Sequence, residues 1–482
     1  MNRSIVRYLV GRILLLVGIL MFLPIAVGLL YQERGQILFA YGSVAFACCF
    51  FSLLLVWRKP QNTRFYAKEG LVICSLSWIL ASLFGAIPLV LTHEYPNFID
   101  AFFEISSGFT TTGATVATNV EILSKTTLFW RSFTHLIGGM GVLVFVLALL
   151  PKSDPDNVYM MKAEMPGPSF GKILSGLKGT ARMLYAIYLI MTLVLFVLLV
   201  IAKMPVFDAI CHAMGTAGTG GFGIKNSSIL WYNSSSINLI LSVGMLVFGI
   251  NFNLYYFLLL RKFKDFFQDE ELHWYLGIVA IAFILICLNL WSVYKNKAQM
   301  AIDVFFSVSS IITTTGYSTA DFAAWPLFSH IILLLLMMVG AMAGSTAGGL
   351  KVSRVTMFGK VLRAEMLHQR EPARIIPIRF NRKTISSTLI RSLFGYFVAY
   401  AFVFITLLLI VSFESPDFIT AFSTVAATFN NIGPGLGAVG PTANYAWLSP
   451  YAKLVLSLGM ITGRLEIWPV IILFSWRSWK KT

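Results

Sequence analysis

Four segments of the sequence share one pattern and decide the fold. They read FIDAFFEISSGFTTTG at residues 98–113, VFDAICHAMGTAGTGG at 206–221, AIDVFFSVSSIITTTG at 301–316 and FITAFSTVAATFNNIG at 418–433. In each segment the third residue is polar, and a glycine lies 13 positions after it. A fixed spacing that recurs four times in one chain indicates an internal repeat.

Each segment predicts a short helix that ends in a glycine turn. Its third residue is a type that caps helix N-termini, and an amphipathic stretch of about ten residues follows. The predicted caps are Asp100, Asp208, Asp303 and Thr420. Ten helical residues reach about 15 Å, which is half of a bilayer core of about 30 Å. The glycine then permits a turn with positive φ.

The sequence around these segments is that of a membrane protein. Of the 482 residues, 57% are hydrophobic and 12% charged, whereas a soluble domain carries about 25% charged residues. Apolar runs of about 20 residues, each long enough to cross a bilayer as a helix, recur along the chain. The predicted spans are 5–31, 36–57, 69–92, 127–150, 182–203, 236–261, 273–294, 326–350, 386–413 and 449–476. An ordinary cytosolic enzyme is excluded.

The repeat unit is therefore a span, a short helix, a glycine turn and a second span. Each unit crosses the membrane twice, so the four units are parallel and pseudo-fourfold symmetric. Four re-entrant turns must converge on a shared polar centre, because backbone at membrane depth is tolerated only where protein or a watery cavity surrounds it. The predicted fold is an all-α membrane protein with two extra N-terminal helices. The predicted units are the helix pair at 1–64 and the repeats at 65–152, 182–264, 272–364 and 384–482.

The net charge of +16 follows the predicted topology. The side that holds both termini carries 28 Lys and Arg and 10 Asp and Glu, and the opposite side carries 8 and 10, with Arg464 and Glu466 inside a span. The positive-inside rule places both termini in the cytoplasm of a cell that holds the protein in its inner or plasma membrane. A nucleic-acid partner is unnecessary to explain the charge.

The four turns offer backbone carbonyls rather than side chains to a ligand. Rings of carbonyl oxygens can replace the hydration shell of a cation, and the negative ends of four short helices favour a cation nearby. The predicted ion-binding residues are Thr111, Thr112, Gly113, Thr219, Gly220, Gly221, Thr314, Thr315, Gly316, Asn431, Ile432 and Gly433. No carboxylate cluster typical of a metal site is present. Residues 218–223 fit GxGxxG, but they follow a short helix rather than a strand, so a dinucleotide cofactor is not expected and the cation is expected to be the transported species.

With these turns, the motif Asn431-Ile432-Gly433-Pro434-Gly435 and the closing stretch from Gly463 to Ile467, the whole chain resembles the potassium transporters that include TrkH, KtrB and the plant HKT proteins. It is most similar to the TrkH branch. The resemblance implies a potassium-selective pathway through four fused pore units and assembly as a homodimer. It also implies control by a separate cytoplasmic ring of nucleotide-binding subunits, called TrkA in that branch.

Two further features suggest a gate. Residues 340–349 read GAMAGSTAGG, which is poor helix material because glycine costs about 1 kcal/mol against alanine. The segment is either a GxxxG helix-packing stripe or an unwound loop under the turns, and the resemblance favours the loop. Arg464 lies inside a predicted span and needs a polar partner, for which the loop carbonyls are better candidates than Glu466. The predicted gate residues are Gly344, Gly348, Gly349 and Arg464, and a structural salt bridge remains the alternative for Arg464.

Two classes of transporter fit these features. The first is a channel-like subunit for potassium uptake, and the alternative is an alternating-access symporter coupled to Na⁺ or H⁺. Against the symporter, no carboxylate pair lies mid-membrane and the repeats are parallel rather than inverted. A membrane enzyme lacks support, since no nucleophile, base and orienting group form one site. Basic segments at 152–182 and 351–391 could bind either the ring subunits or membrane lipids.

Overall fold

The structure is a computed structural model that describes residues 1–61, 66–141, 177–373 and 376–479. The second half of the predicted span 127–150, most of the basic segment 152–182 and Arg374 lie outside the described residues. Within the described residues nearly all regular structure is helical, and six helices are long and apolar enough to cross a membrane. The chain has the predicted all-α architecture.

Two N-terminal spans precede the repeats and pack against each other. The helices are α1 (Arg3–Leu20), α2 (Phe22–Leu30) and α3 (Gly35–Val56). α1 and α3 approach closely at Gly18, where a Cβ atom would lie 2.8 Å from the Cys49 sulfur. Both chain ends lie on one side, because the Asn2 amide donates to Glu69 and the Arg3 guanidinium donates to the Trp479 carbonyl. We call this side the terminal side and the opposite one the loop side.

Each repeat contains a long helix, a short helix and a second helix. The long helices are α4 (Ala67–Leu91), α7 (Leu177–Ile201), α12 (Glu270–Leu290) and α16 (Ser387–Ser412). The short helices are α5 (Phe98–Phe109), α8 (Val206–Ala217), α13 (Lys297–Ile312) and α17 (Phe418–Phe429). The second helices are α6 (Lys125–Gly139), α9 (Ser235–Phe248), α14 (Leu327–Val339) and α18 (Pro450–Arg464).

The remaining elements connect or follow the repeats. They are helices α10 (Phe252–Leu259), α11 (Phe263–Phe267), α15 (Val352–Arg370), α19 (Trp468–Phe474) and α20 (Trp476–Trp479), with strands β1 (Arg379–Phe380) and β2 (Lys383–Thr384). The strands form an antiparallel hairpin. A 3₁₀ turn precedes each second helix, at Val120–Ile122, Ser228–Tyr232, Phe322–Ala324 and Gly437–Val439.

The short helices begin earlier than the sequence predicts. The caps are Asn97, Pro205, Asn296 and Asp417. The side chains of Asn97, Asn296 and Asp417 accept backbone N–H groups, which satisfies donors that the first turn leaves free. The predicted caps were wrong by three residues in the first, second and fourth repeats and by seven in the third. Asp100 and Asp208 lie in the first helical turn, where an acidic side chain still favours the helix dipole, and the uncharged Thr420 lies at the same place in the fourth repeat.

The second helices are shorter than the predicted spans. They contain 15, 14, 13 and 15 residues, whereas a full span needs about 20. α9 and α10 are bent by 91° at the intervening break, and the chain leaves α14 at Gly340 with φ +70°. The sequence predicts a break in the eighth span alone. The break after α9 escaped prediction because Phe248, Gly249 and Ile250 are as apolar or small as the residues of the helices. The break after α18 follows Arg464, inside a stretch whose overall hydropathy favours one continuous span.

The helices close into a cycle. Each short helix packs against the second helix of the preceding repeat, in the pairs α6 with α8, α9 with α13 and α14 with α17. α18 of the last repeat packs against α5 of the first, which completes the circle. The four repeats therefore surround one axis, as the pseudo-fourfold prediction requires.

Candidate functional site

The four glycine turns, residues 111–113, 219–221, 314–316 and 431–433, have the same backbone conformation. The closing glycines Gly113, Gly221, Gly316 and Gly433 have φ values of +78°, +74°, +87° and +95°. The residue two positions before each glycine also has positive φ, between +55° and +59°. This left-handed region is costly for residues with a Cβ atom, so the fold must hold it in place. The glycines have the conformation that the sequence predicts.

One hydrogen bond recurs in every turn. The amide of the residue before the glycine donates to the carbonyl five residues earlier, at 2.8 Å in all four repeats. The donors and acceptors are Thr112 to Ser107, Gly220 to Gly215, Thr315 to Ser310 and Ile432 to Ala427. A bond of this kind satisfies a carbonyl that the end of the short helix leaves open. The turns thus remain attached to their helices.

The turns meet in a closed ring, which we call the glycine ring. A Cβ atom on Gly113 would lie closer than 3.0 Å to the carbonyl oxygen of Gly220, and the same holds for Gly221 with Thr315. The two remaining contacts are Gly316 with the Ile432 carbonyl and Gly433 with the Thr112 carbonyl. Every glycine therefore contacts the next repeat in chain order, and the last repeat contacts the first.

Polar side chains brace the ring from within the protein. The Thr110 and Thr112 hydroxyls lie 2.8 Å apart, and Thr313 and Thr315 repeat this contact in the third repeat. The Asn431 amide donates to the Thr112 hydroxyl at 2.9 Å, which joins the fourth turn to the first. These side chains are buried, so their hydrogen bonds fix the turns without help from bulk water.

Two cavities lie on opposite sides of the glycine ring. The loop-side cavity, which we call the vestibule, is lined by all four ring glycines and the residues that follow them. The terminal-side cavity is lined by the glycine-rich segment of the third repeat and by residues 463–466. The ring therefore lies between the two cavities.

The glycine loop, residues 340–351, is an unwound segment on the terminal side of the ring. Gly340, Gly344 and Gly349 have φ values between +70° and +76°, and Lys351 has φ +78°. The alternative prediction of a helix-packing stripe is therefore wrong, because the segment is not helical. The Gly348 amide donates to the Thr314 hydroxyl at 2.7 Å, so the loop lies directly against the ring.

Glu271 connects the glycine loop to the start of α15. Its Oε1 atom accepts the amide of Ala343 at 2.7 Å and the amide of Ser353 at 2.9 Å. The break in the second repeat contributes as well, because the Phe252 amide donates to the Gly344 carbonyl and the Met342 amide to the Gly249 carbonyl. Unpaired amides of a broken helix thus find acceptors inside the protein, as membrane depth requires.

Arg464 spans three repeats below the ring. One guanidinium nitrogen donates to the Thr346 carbonyl at 2.6 Å, and the other donates to Gly138 and Gly139 at 2.7 and 2.8 Å. The predicted contact with a loop carbonyl is confirmed, and the contacts with the end of α6 were not predicted. Arg464 lies at the C-terminal end of α18 rather than inside a continuous span, since Glu466 and Ile467 have positive φ.

Two further cations lie beside Arg464. Lys351 is buried, and its Nζ atom donates to the Ala347 and Gly348 carbonyls. Arg354 pairs with Glu466 and lies over the Tyr396 ring at 4.1 Å. Three consecutive loop carbonyls, those of residues 346–348, therefore accept hydrogen bonds from cationic side chains of the protein.

Glu271 and Lys351 were not predicted as site residues. Glu271 follows Asp269 and Glu270 at the start of α12, where acids are common because of the helix dipole. Lys351 begins a run of basic residues that topology alone explains. Only the folded chain shows that both side chains are buried against the glycine loop. The ring turns, by contrast, lie where the 13-residue spacing predicts them.

The described residues contain no group of three or more His, Cys, Asp or Glu side chains that could hold a metal ion. The chemistry available at the ring is therefore that of backbone carbonyls and threonine hydroxyls.

Comparison with known proteins gives one consistent answer. The TrkH family, described as cation transport protein, matches residues 39–481. The Trk system potassium uptake protein TrkH of Salmonella typhimurium is 34% identical over 487 residues, with 99% of each chain covered. The Trk system potassium uptake protein TrkG of Escherichia coli is also 34% identical, and the alignment covers 99% of this chain and all of that one.

A solved structure shows the same fold. The crystal structure of the potassium transporter TrkH from Vibrio parahaemolyticus superposes on this chain with a TM-score of 0.89 at 31% sequence identity. The match covers 100% of both chains.

Proposed function

The chain belongs to the TrkH family of cation transport proteins, and from that membership we propose that it is the potassium-translocating subunit of a Trk-type uptake system. The family consists of transporters rather than enzymes. The observation that carries the proposal is the glycine ring, in which four turns with one backbone conformation close around a single axis. The choice of K⁺ as the transported ion rests on the relatives, which are named potassium uptake proteins and align with 99% of this chain.

In this proposal the carbonyl oxygens of the glycine turns coordinate K⁺ in place of water. The twelve predicted residues, from Thr111 to Gly433, form the selectivity filter. The vestibule faces the outside and the terminal side faces the cytoplasm, because the terminal side carries the excess of Lys and Arg. An inside-negative potential then favours K⁺ uptake by about 2.3 kcal/mol per 100 mV.

The gate of the proposed pathway consists of Arg464 and the glycine loop, in which Gly344, Gly348 and Gly349 are the predicted gate residues. Support comes from the position of the loop between the ring and the terminal-side cavity. The guanidinium ties the loop to the first and fourth repeats, and charge-assisted hydrogen bonds of this kind are among the stronger ones in proteins. Opening requires the loop to leave Arg464 or to move with it.

The proposed assembly is a homodimer whose cytoplasmic side binds a ring of nucleotide-binding subunits, as the resemblance implies. The proposed docking surface is α15, because this helix begins immediately after Lys351 and so continues directly from the glycine loop. A regulator bound there would bias the loop only if its affinity differs between the open and closed states.

The decisive experiment is ion flux through the purified protein in liposomes. We expect a potassium current that reverses at the K⁺ equilibrium potential, with little Na⁺ current. A strict and stoichiometric need for Na⁺ or H⁺ would instead establish the alternating-access symporter. Absence of K⁺ flux under any gradient or regulator would contradict the proposed function.

Serine at the ring glycines tests the filter. Gly113→Ser and Gly316→Ser each introduce a Cβ atom closer than 3.0 Å to the carbonyl of the next repeat and strain a residue with positive φ. We expect the K⁺ to Na⁺ permeability ratio to fall by about an order of magnitude in bi-ionic current measurements. Gly277→Ser is the matched control, since its Cβ would meet nothing within 4 Å. If Gly113→Ser and Gly316→Ser keep the wild-type K⁺ to Na⁺ permeability ratio, the filter assignment is refuted.

Removal of the Arg464 guanidinium tests the gate. Arg464→Ala deletes the contacts to Thr346, Gly138 and Gly139, so the loop should open more often and basal K⁺ flux in liposomes should rise about tenfold. Arg464→Lys retains the charge but has a single nitrogen in place of the two that contact the third and first repeats, and we expect an intermediate flux. If well-folded Arg464→Ala protein has unchanged or lower flux, Arg464 has a structural role alone.

Charge reversal on α15 tests the docking surface. Arg363 and Arg370 are exposed, whereas Arg354 pairs with Glu466 and is unsuitable for this test. The double variant Arg363→Glu with Arg370→Glu should bind the nucleotide-binding subunits about tenfold more weakly in binding assays. Nucleotide-dependent regulation should weaken accordingly, and the ion selectivity should remain unchanged. Lys59→Glu, an exposed basic residue elsewhere on the terminal side, is the control. Full regulation of the double variant would exclude this surface.

A further inference from the structure

A buried ion pair lies beside the glycine ring in the first repeat. The Arg131 guanidinium lies 2.7 Å from the Glu104 carboxylate, and the two side chains are 1% and 0% exposed. The other ion pairs found among the described residues leave at least one side chain more exposed. Glu104 lies on α5 and Arg131 on α6, so the pair also joins the short helix to the second helix of its repeat.

The pair holds the chain where it leaves two of the glycine turns. Glu104 accepts the Thr115 hydroxyl at 2.9 Å and the Val116 amide at 3.0 Å, just beyond the first turn. Arg131 donates to the Gly223 carbonyl at 3.3 Å and lies 4.1 Å from the Phe222 ring, just beyond the second. The guanidinium also lines the vestibule. A full positive charge therefore lies beside the mouth of the ring.

This arrangement departs from the fourfold pattern. Seven residues after the cap of each second helix, where the first repeat has Arg131, the other repeats have Leu241, Leu333 and Leu456. These leucines are fully buried. Nine residues before each ring glycine, where the first repeat has Glu104, the others have His212, Ser307 and Thr424. The first repeat thus has a charged residue where the other repeats have a buried leucine, and it has a carboxylate where they have His, Ser or Thr.

We propose that Glu104 determines how readily a cation occupies the vestibule, because its carboxylate cancels the permanent charge of Arg131 beside the glycine ring. The inference rests on the proposed function, in which K⁺ passes through this ring. A guanidinium stays protonated at every physiological pH, so without Glu104 its charge would repel cations from the mouth. Burial makes this repulsion stronger than between charges in water.

Neutralisation of Glu104 is the first test. Glu104→Gln keeps the size of the side chain and leaves Arg131 charged. We expect the KM for K⁺ uptake into liposomes to rise about tenfold, because the uncancelled charge of Arg131 repels cations from the mouth of the ring. A purely structural role would give a defect that removal of the Arg131 charge does not reverse.

Two further variants use the chain itself as the control. Glu104→Thr with Arg131→Leu gives the first repeat the residues of the fourth and removes both charges, so its KM should return close to the wild-type value. Arg131→Gln leaves the carboxylate alone and should lower the KM at low ionic strength. The two single variants thus shift the KM in opposite directions, whereas loss of structure would impair both.

The inference is overturned if Glu104→Gln has the wild-type KM or if the double variant is equally defective. Should Glu104→Gln fail to fold, Arg131→Gln decides alone, and a wild-type or raised KM in that variant contradicts the inference. Wild-type protein that carries no K⁺ would instead contradict the proposed function, so the two failures are distinguishable.

Discussion

The need to satisfy backbone polar groups inside a membrane governs this structure. The short helices stop partway across, and the chain must then return without helical hydrogen bonds. Lipid offers no partner for the freed amides and carbonyls. Each turn therefore attaches itself to its own helix through one recurrent 2.8 Å bond and contacts the next repeat through its glycine. The ring closes because the fourth repeat meets the first, and no turn is left to face lipid.

The same constraint explains the terminal side of the ring. The second helices end after 13 to 15 residues, and their broken ends supply both amides and carbonyls at membrane depth. Glu271 accepts two of the amides, and Arg464 and Lys351 donate to the carbonyls of residues 346–348. Charged side chains, which are costly in lipid, thus occupy positions where the backbone itself needs partners. The terminal side of the ring thus carries positive charges that are held in place by the loop they contact.

Fourfold symmetry describes the backbone of the ring better than its surroundings. All four turns share φ values and hydrogen bonds, because the turn geometry leaves little freedom. The side chains behind the turns differ, with an ion pair in the first repeat and a histidine in the second. His212 contacts the Tyr232 hydroxyl at 3.1 Å. The glycine loop belongs to the third repeat and Arg464 to the fourth. One repeated backbone thereby carries four distinct electrostatic environments.

The sequence by itself determined the number of repeats, their parallel orientation, the two extra helices and the glycine turns. These features follow from hydropathy and from a local spacing, and both can be read within one segment. Only the tertiary structure decided where the second helices break and which carbonyls Arg464 contacts. It also paired Glu104 with Arg131 and placed Glu271 and Lys351 at the glycine loop. Arg464 and Thr346 are 118 residues apart, and Glu271 and Ala343 are 72 apart. Such contacts depend on how helices that are distant in the chain pack together, within a repeat or between repeats, and no local pattern of residues encodes that packing.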